Sequence, residues 1–352
     1  MMAKITLAHG SGGRLTHELV ERVIYKRFGN PMLKGLPDSA TFGVKNAARL
    51  AFTTDSFVVN PVIFKGGDIG KLAVCGTIND LAVSGALPLY LSCSLIIEEG
   101  LDERLLVRII DSMAKESESA GVSIVTGDTK VVEKGSLGGC VMNVSGIGKR
   151  TSALESNLEV VKQHRKGFAA RWLLDSNISV GDKIIVSGTL GDHGLAVLSA
   201  QQGLTFGSEI KSDVKPLNKL IYRMLGEVGG AVTIKDATRG GLADAINELS
   251  EKSKVGILIH ETKVPIREDV RVASEMLGLD PLEIGNEGKI VIGVVPAKAE
   301  QSLNWLKQTA EGKDAEIIGE ATSEFKGVAM QTAVGGKRII ARPVGDPVPR
   351  IC

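Results

Sequence analysis

From Leu50 to Ile147, and again from Gly181 to Ile340, short apolar runs rich in β-branched residues alternate with longer segments of helical periodicity. That alternation points to helices layered on sheets. Its occurring twice in a chain of 352 residues, longer than one hydrophobic core usually supports, points to two α/β (α+β) domains of similar size. In the first half, residues 50–54 read as a strand running into Asp55, and residues 69–86 as a helix of small and aliphatic residues. Residues 105–120 read as an amphipathic helix with Asp102 as N-cap and Gly121 as stop. Residues 122–125 read as a buried strand that delivers Gly127, Asp128, Thr129 and Lys130 at its end, and residues 141–147 as another strand. Residues 151–177 break the pattern with a charged, basic stretch, Val161-Lys162-Gln163-His164-Arg165-Lys166 followed by Arg171-Trp172. The boundary is placed there, giving domains 1–160 and 161–342 and a tail 343–352. In the second half strands are expected at 183–186, 231–234, 255–259, 290–294 and near 316–318 and 338–340. Helices are expected at 193–202, 217–228, 242–251, 268–277 and 300–309.

The tail ends Pro349-Arg350-Ile351-Cys352, with three prolines between Arg342 and Arg350. A cysteine there can be an incidental surface thiol, half of a disulfide, a lipid anchor, or a reactive group on a stiff arm. Prenylation needs the cysteine four residues from the end, and Cys75, Cys93 and Cys140 show no paired spacing and fall in expected core segments. A free reactive thiol therefore remains open. Ten residues of extended arm reach roughly 30 Å, about a domain radius.

Charge narrows the partners. Lys and Arg number 42 against 41 Asp and Glu, and aromatics make up 4% of residues, which gives no electrostatic or stacking case for nucleic acid. No apolar leader or membrane-length run is present, and unpaired cysteines suit a reducing compartment, so a cytoplasmic protein away from membranes is expected.

The acidic residues are placed suggestively. Asp55, Asp68, Asp80, Asp128 and Asp236 each stand beside an apolar segment, in Thr-Thr-Asp-Ser, Gly-Gly-Asp-Ile-Gly, Ile-Asn-Asp-Leu, Thr-Gly-Asp-Thr-Lys and Asp-Ala-Thr-Arg-Gly-Gly. Any one of them suits an N-cap or a turn; five together suit Mg²⁺, and Mg²⁺ implies phosphate. Gly66-Gly67-Asp68-Ile69-Gly70-Lys71 lacks the ending of a P-loop, and no Rossmann fingerprint is present. His9, in His-Gly-Ser-Gly-Gly, and Glu287, in Asn-Glu-Gly-Lys, are either loop residues or acid/base groups sharing one cleft.

These motifs, in order and over almost the whole chain, resemble the HypE family of hydrogenase maturation factors. The terminal Pro-Arg-Ile-Cys separates that family from aminoimidazole ribonucleotide synthetase, selenophosphate synthetase and thiamine-monophosphate kinase, which share its architecture. Residues 161–177 are longer and more basic than the family leads one to expect. The resemblance implies a two-domain aminoimidazole ribonucleotide synthetase-like fold, a homodimer whose N-terminal mixed sheets pair, and ATP in a groove at the dimer core. It implies that HypF carbamoylates Cys352, that the chain then uses ATP to dehydrate the S-carbamoyl group to S-cyanocysteine, and that cyanide passes to HypC and HypD. On this reading Asp55, Asp80 and Asp236, with Asp68, bind Mg²⁺. Lys130, with Gly127, Asp128, Thr129, Asn79, Gly66, Gly67 and Lys71, binds ATP, and Glu287 and His9 are bases. The rivals are an ATP-dependent kinase or synthetase acting on a free metabolite, and a thiol carrier or metallochaperone with no ATP chemistry.

Overall fold

The computed structural model describes residues 14–19, 21, 40–43, 49–204, 210–345, 348 and 351–352. The first half contains α1 (Arg14–Leu19), β1 (Ala40–Gly43), β2 (Arg49–Phe57), the short ribbon β3 (Ile63–Phe64) and β4 (Gly67–Asp68), α2 (Ile69–Val83), β5 (Leu87–Glu98), α3 (Glu103–Ala120), β6 (Ser123–Val132) and β7 (Cys140–Lys149). The sheet runs β1-β2-β7-β5-β6. All its pairs are antiparallel except β5 with β6, the two strands joined by the α3 crossover.

α2 is the hinge of the architecture. Of its 15 residues only Lys71 and Asp80 escape burial, as befits a helix that is apolar on every side and packed on every side. It lies on the sheet, against α3, and shares a core with the second half through Leu81, Ala82 and Val83. Its approach to α3 depends on Gly70, where a Cβ would lie 2.4 Å from the Ile109 carbonyl oxygen. Gly70→Ala is therefore expected to cost about 1–3 kcal/mol by overpacking, read as a lower denaturant midpoint at unchanged slope.

The second half contains α4 (Ser152–His164), β8 (Lys183–Val186), α5 (Asp192–Gln202), α6 (Asn218–Glu227), β9 (Ala231–Asp236), α7 (Gly241–Ser253), β10 (Gly256–His260), α8 (Glu268–Leu277), β11 (Ile290–Val294), α9 (Ala299–Lys307), β12 (Glu316–Thr322), β13 (Val328–Gln331) and β14 (Lys337–Ile339). Its sheet runs β14-β13-β10-β12-β8-β11-β9, with β10 and β13 parallel and the other pairs antiparallel.

Three expectations are corrected. Residues 87–98, assigned no element, form β5 between β7 and β6. β6 is not buried: nine of its ten residues are exposed, because it is an edge strand among the described residues, and Gly127 to Lys130 lie inside it rather than past its end. Residues 151–164 are not a break. Thr151 caps α4 by accepting from Leu154 N at 3.3 Å, and Leu154, Leu158 and Val161 are buried at helical spacing beneath a charged outer face. The basic stretch then closes on Arg165, which pairs with the Asp182 carboxylate and donates to the Asn177 carbonyl at 2.7 Å.

A strap of residues 212–217 ties the halves together. Ser212 N donates to the Lys65 carbonyl at 2.9 Å, and Leu217 N to Asn79 Oδ1 at 2.8 Å. The tail is docked. Arg342 roots it on α7, donating to Asp244 at 2.6 Å, Glu248 at 2.7 Å and Glu251 at 3.1 Å, while Arg14 N donates to the Pro343 carbonyl at 2.9 Å. Val348 and Ile351 end in the core.

Candidate active site

Alternation in β2 decides which side chains reach the interior. Ala51, Thr53, Asp55 and Phe57 face α2, and Phe52, Thr54 and Ser56 face away. Thr53 Oγ1 donates to Asp80 Oδ2 at 2.8 Å, so the one acidic residue of α2 meets the inner face of the sheet. From the second half, β9 ends on Asp236. The turn that follows uses Gly240 (φ 76°) and Gly241 (φ 59°) to start α7, and a Cβ on Gly241 would lie 2.6 Å from the Leu282 and Ile284 carbonyl oxygens. Asp55, Asp80, Asp236, Glu287 and Cys352 line one cavity of about 290 Å³, together with Arg239 and the first turn of α7. A helix N-terminus and an arginine make that wall suited to anions.

Each residue of Asn-Glu-Gly-Lys has a separate task. Asn286, fully buried, donates to the Ala237 and Ile284 carbonyls at 3.2 Å and accepts from Gly191 N at 2.8 Å, so it pins the loops around the cavity. Gly288 lets the strap approach: its Cβ would sit 2.0 Å from the Asp213 carbonyl oxygen. Lys289 donates to Asp213 Oδ2 at 3.2 Å. Glu287 projects into the cavity above Gly76, and is no surface-turn residue at 3% exposure. Burial first, and then the neighbouring carboxylates of Asp236, Asp55 and Asp213, push its carboxyl well above the ordinary range, while Arg239 opposes the shift. Burial likewise raises Asp55, against Arg239, whose Nη2 lies 3.7 Å away. Crowded, oxygen-only donors fit a hard divalent cation such as Mg²⁺, which would relieve that repulsion.

Cys352 reaches this cavity through a latch absent from the sequence reading. His193, fully buried, has Nε2 2.8 Å from the Ile351 carbonyl oxygen and Nδ1 2.7 Å from Ser212 Oγ. The carbonyl can only accept, so Nε2 carries the proton and Nδ1 accepts from the serine. Phe64 stacks edge-on to the ring at 5.4 Å. Gly285 leaves room for Ile351, whose Cδ1 would lie 2.6 Å from an added Cβ. Cys352 is also the only cysteine not buried. Burial raises the thiol pKa of Cys75, Cys93 and Cys140, the last to about 11, which leaves those three inert.

Other expected site residues lie elsewhere. Asp68 caps α2 by accepting from Lys71 N at 2.9 Å, twelve residues and about 18 Å along the axis from Asp80, so the structure does not bring it to the carboxylates of the cavity. Lys71 faces Glu116 at 3.5 Å. Gly66 admits the Ser212 backbone, 2.8 Å from where its Cβ would be, and Gly67 packs on Phe64 and Val214. Asn79 spends its amide on the Lys215 and Leu217 backbone, 3.1 and 2.8 Å away, and on the Glu287 carbonyl at 3.4 Å. In this structure Gly66, Gly67 and Asn79 build the interdomain joint, Asp68 and Lys71 find their partners within the first half, and none of the five lines the cavity. Gly127, Asp128 and Thr129 line a different groove, between β6 and α3. In register, Asp128 and Lys130 share a face with Ser94 and Ile96, the side of the sheet away from Asp55. His9 lies outside the described residues. His17, Asp244 and Glu248 come within 4.8 Å of one another, but Arg342 and Lys235 already balance them.

Two domain models match the chain: the N-terminal domain of AIR synthase related proteins over residues 37–149 and the C-terminal domain over residues 179–331. Fold and site thus define a two-domain protein of the AIR synthase related class. The chain is 44% identical to carbamoyl dehydratase HypE of Rhodobacter capsulatus over 99% of its length and 98% of that protein's. It is 42% identical to carbamoyl dehydratase HypE of Escherichia coli K12 over the full length of both. The chain belongs to the HypE family. Among solved structures, a HypE-HypF complex superposes with a TM-score of 0.82 at 43% identity, covering 92% of this chain and 99% of that one. HypE in complex with ATP superposes at 0.79 and 40% identity, covering 99% and 100%. Thiamine monophosphate kinase of Aquifex aeolicus, at 18% identity and a TM-score of 0.64, shares the fold alone.

Proposed function

We infer that the chain is an ATP-dependent carbamoyl dehydratase of hydrogenase maturation. It converts an S-carbamoyl group on its own Cys352 to S-cyanocysteine, the source of the cyanide ligand of the nickel-iron cofactor. The observation that carries the reading is the placement of Cys352 in one cavity with Asp55, Asp80, Asp236 and Glu287. A carboxamide oxygen is a poor leaving group. Attack by that oxygen on the γ-phosphorus of ATP forms the O–P bond and releases ADP; loss of two N–H protons and of phosphate then leaves a carbon–nitrogen triple bond on sulfur. Glu287, which lines the same cavity as Cys352, is the proposed base for one of those protons, and the walls that bury it would keep water from a group prone to hydrolysis. Asp55, Asp80 and Asp236 would hold Mg²⁺, which when bound supplies positive charge to the transferring phosphoryl group.

A homodimer completes the reading. β6 leaves Val125 59% and Val131 66% exposed, apolar side chains on a sheet edge of the kind that pairs with another chain. Because Asp128 and Lys130 face away from Asp55, their phosphate contacts would reach ATP from the second copy, and His9 remains a candidate second base. HypF is the expected carbamoyl donor, since a relative is crystallised with it; the HypC-HypD complex is the proposed acceptor of cyanide. No helix among the described residues is long and apolar enough to cross a membrane, and we place the reaction in the cytoplasm.

The test is intact-mass analysis of the carbamoylated protein given Mg-ATP, beside Cys352→Ala. Loss of one water from the C-terminal residue, with stoichiometric ADP, is the expected result. ATP turnover that survives in Cys352→Ala would instead indicate a free metabolite as substrate, and no ATP hydrolysis in either protein a carrier.

A further inference from the structure

Apart from the Asp-lined cavity, a second one of about 810 Å³ opens where α4 meets the ends of β2 and β7. Arg49, Arg150, Lys162 and Arg171 line it, with only Glu155 and Glu159 to oppose them. It shares no lining residue with the first cavity. Here the basic stretch that the dehydratase reading leaves unused meets two arginines of the N-terminal sheet.

The arginines are under-satisfied. Arg49 and Arg150 are held together by the bond from Arg150 N to the Arg49 carbonyl at 2.9 Å. The nearest acid to Arg150 is Glu155, whose Oε1 lies 3.6 Å from Nε, beyond hydrogen-bond range. That Nε is buried and has no acceptor. Among the described residues neither Arg49 nor Arg171 has an ion-pair partner, and Glu159 is taken by Lys162 at 2.6 Å. Burial, and then the neighbouring charges of Arg49 and Arg171, make the guanidinium of Arg150 harder to keep protonated than usual, with Glu155 opposing.

Four cationic and two anionic side chains leave a surplus of two positive charges around this space. Guanidinium forks pair two-to-two with phosphate oxygens, and a phosphate carries close to two negative charges at neutral pH. Leu158 and Phe168 supply an apolar wall against which the carbon part of an ester could lie. We propose that this cavity is a second, non-catalytic anion site that takes a phosphate dianion, free or as a phosphomonoester.

The test uses full-length protein without nucleotide or metal, titrated calorimetrically with inorganic phosphate and with phenyl phosphate at constant ionic strength. One site per chain is expected, weakened at least tenfold in Arg150→Gln and in the exposed variant Arg171→Gln, and retained in Arg239→Gln, the cation of the first cavity. Tighter binding of phenyl phosphate assigns a phosphomonoester and equal binding assigns free phosphate; both uphold the site. Unchanged affinity in Arg171→Gln, provided its circular dichroism and melting match wild type, would overturn it. So would loss of binding in Arg239→Gln, which would place the anion in the Asp-lined cavity, or no binding of either probe.

Discussion

Glu287→Gln is expected to slow carbamoyl dehydration by about 10²–10⁴-fold, the range for loss of a positioned base, while making the metal-free protein harder to unfold. The two effects share one cause. Glu287 is buried among Asp236, Asp55 and Asp213, and its carboxyl titrates well above the usual range. The folded chain therefore keeps this proton after the unfolded chain has lost it, so stability falls as pH rises from the unfolded value of about 4.3 towards the folded one. Glutamine is neutral throughout and removes that fall. Above both values the gain is about 1.4 kcal/mol for each unit of displacement. Melting curves of metal-free wild type and variant at pH 4 and pH 8 should coincide more closely at the lower pH. Equal dehydration rates in the two proteins would assign the proton transfer to another group.

The second large effect falls on the latch. Ile351 is 1% exposed, packed where Gly285 leaves space, and its carbonyl accepts from His193. Ile351→Ala removes buried apolar volume worth about 2–5 kcal/mol, and each 1.4 kcal/mol is tenfold in the ratio of docked to undocked tail. Dehydration should fall by at least about tenfold. Carbamoylation of Cys352 should proceed as before, because that step needs the tail outside. Alkylation of Cys352 should be faster than in wild type. His193→Phe, which keeps the ring but loses the donor, should act in the same direction. Unaltered alkylation in both variants would show that docking does not limit access to Cys352.

Much of this was legible from residue order. Asp102 and Gly121 bound α3 as capping chemistry requires, with Asp102 accepting from Arg104 N at 2.8 Å and Gly121 at φ 73°. The grouping of Asp55, Asp80, Asp236, Glu287 and Cys352 follows from motifs at strand and helix ends that the family resemblance joins. What escaped has physical reasons. β5 begins Leu-Pro-Leu-Tyr, with a proline that argues against a strand, yet β5 pairs with β7 and β6 across a register irregularity at Pro88/Tyr90. α4 hides its apolar stripe among charges. The roles of Gly66 and Asn79 could not be read locally, because each is fixed by a strap about 140 residues later. The latch was similarly hidden: a buried histidine is ordinary in sequence, and only the fold puts it 2.8 Å from a carbonyl 158 positions away.

The rooted tail has a kinetic corollary. Arg342 is bound to α7 at one end of a segment whose other end is the reacting sulfur. The carbamoyl group therefore meets its catalytic groups at an effective concentration in the millimolar range, set by tether length and independent of how much protein is in solution. Such a site cannot be saturated by its carbamoyl substrate. Each chain makes one cyanide per loading, so output depends on how often the tail is recharged and emptied.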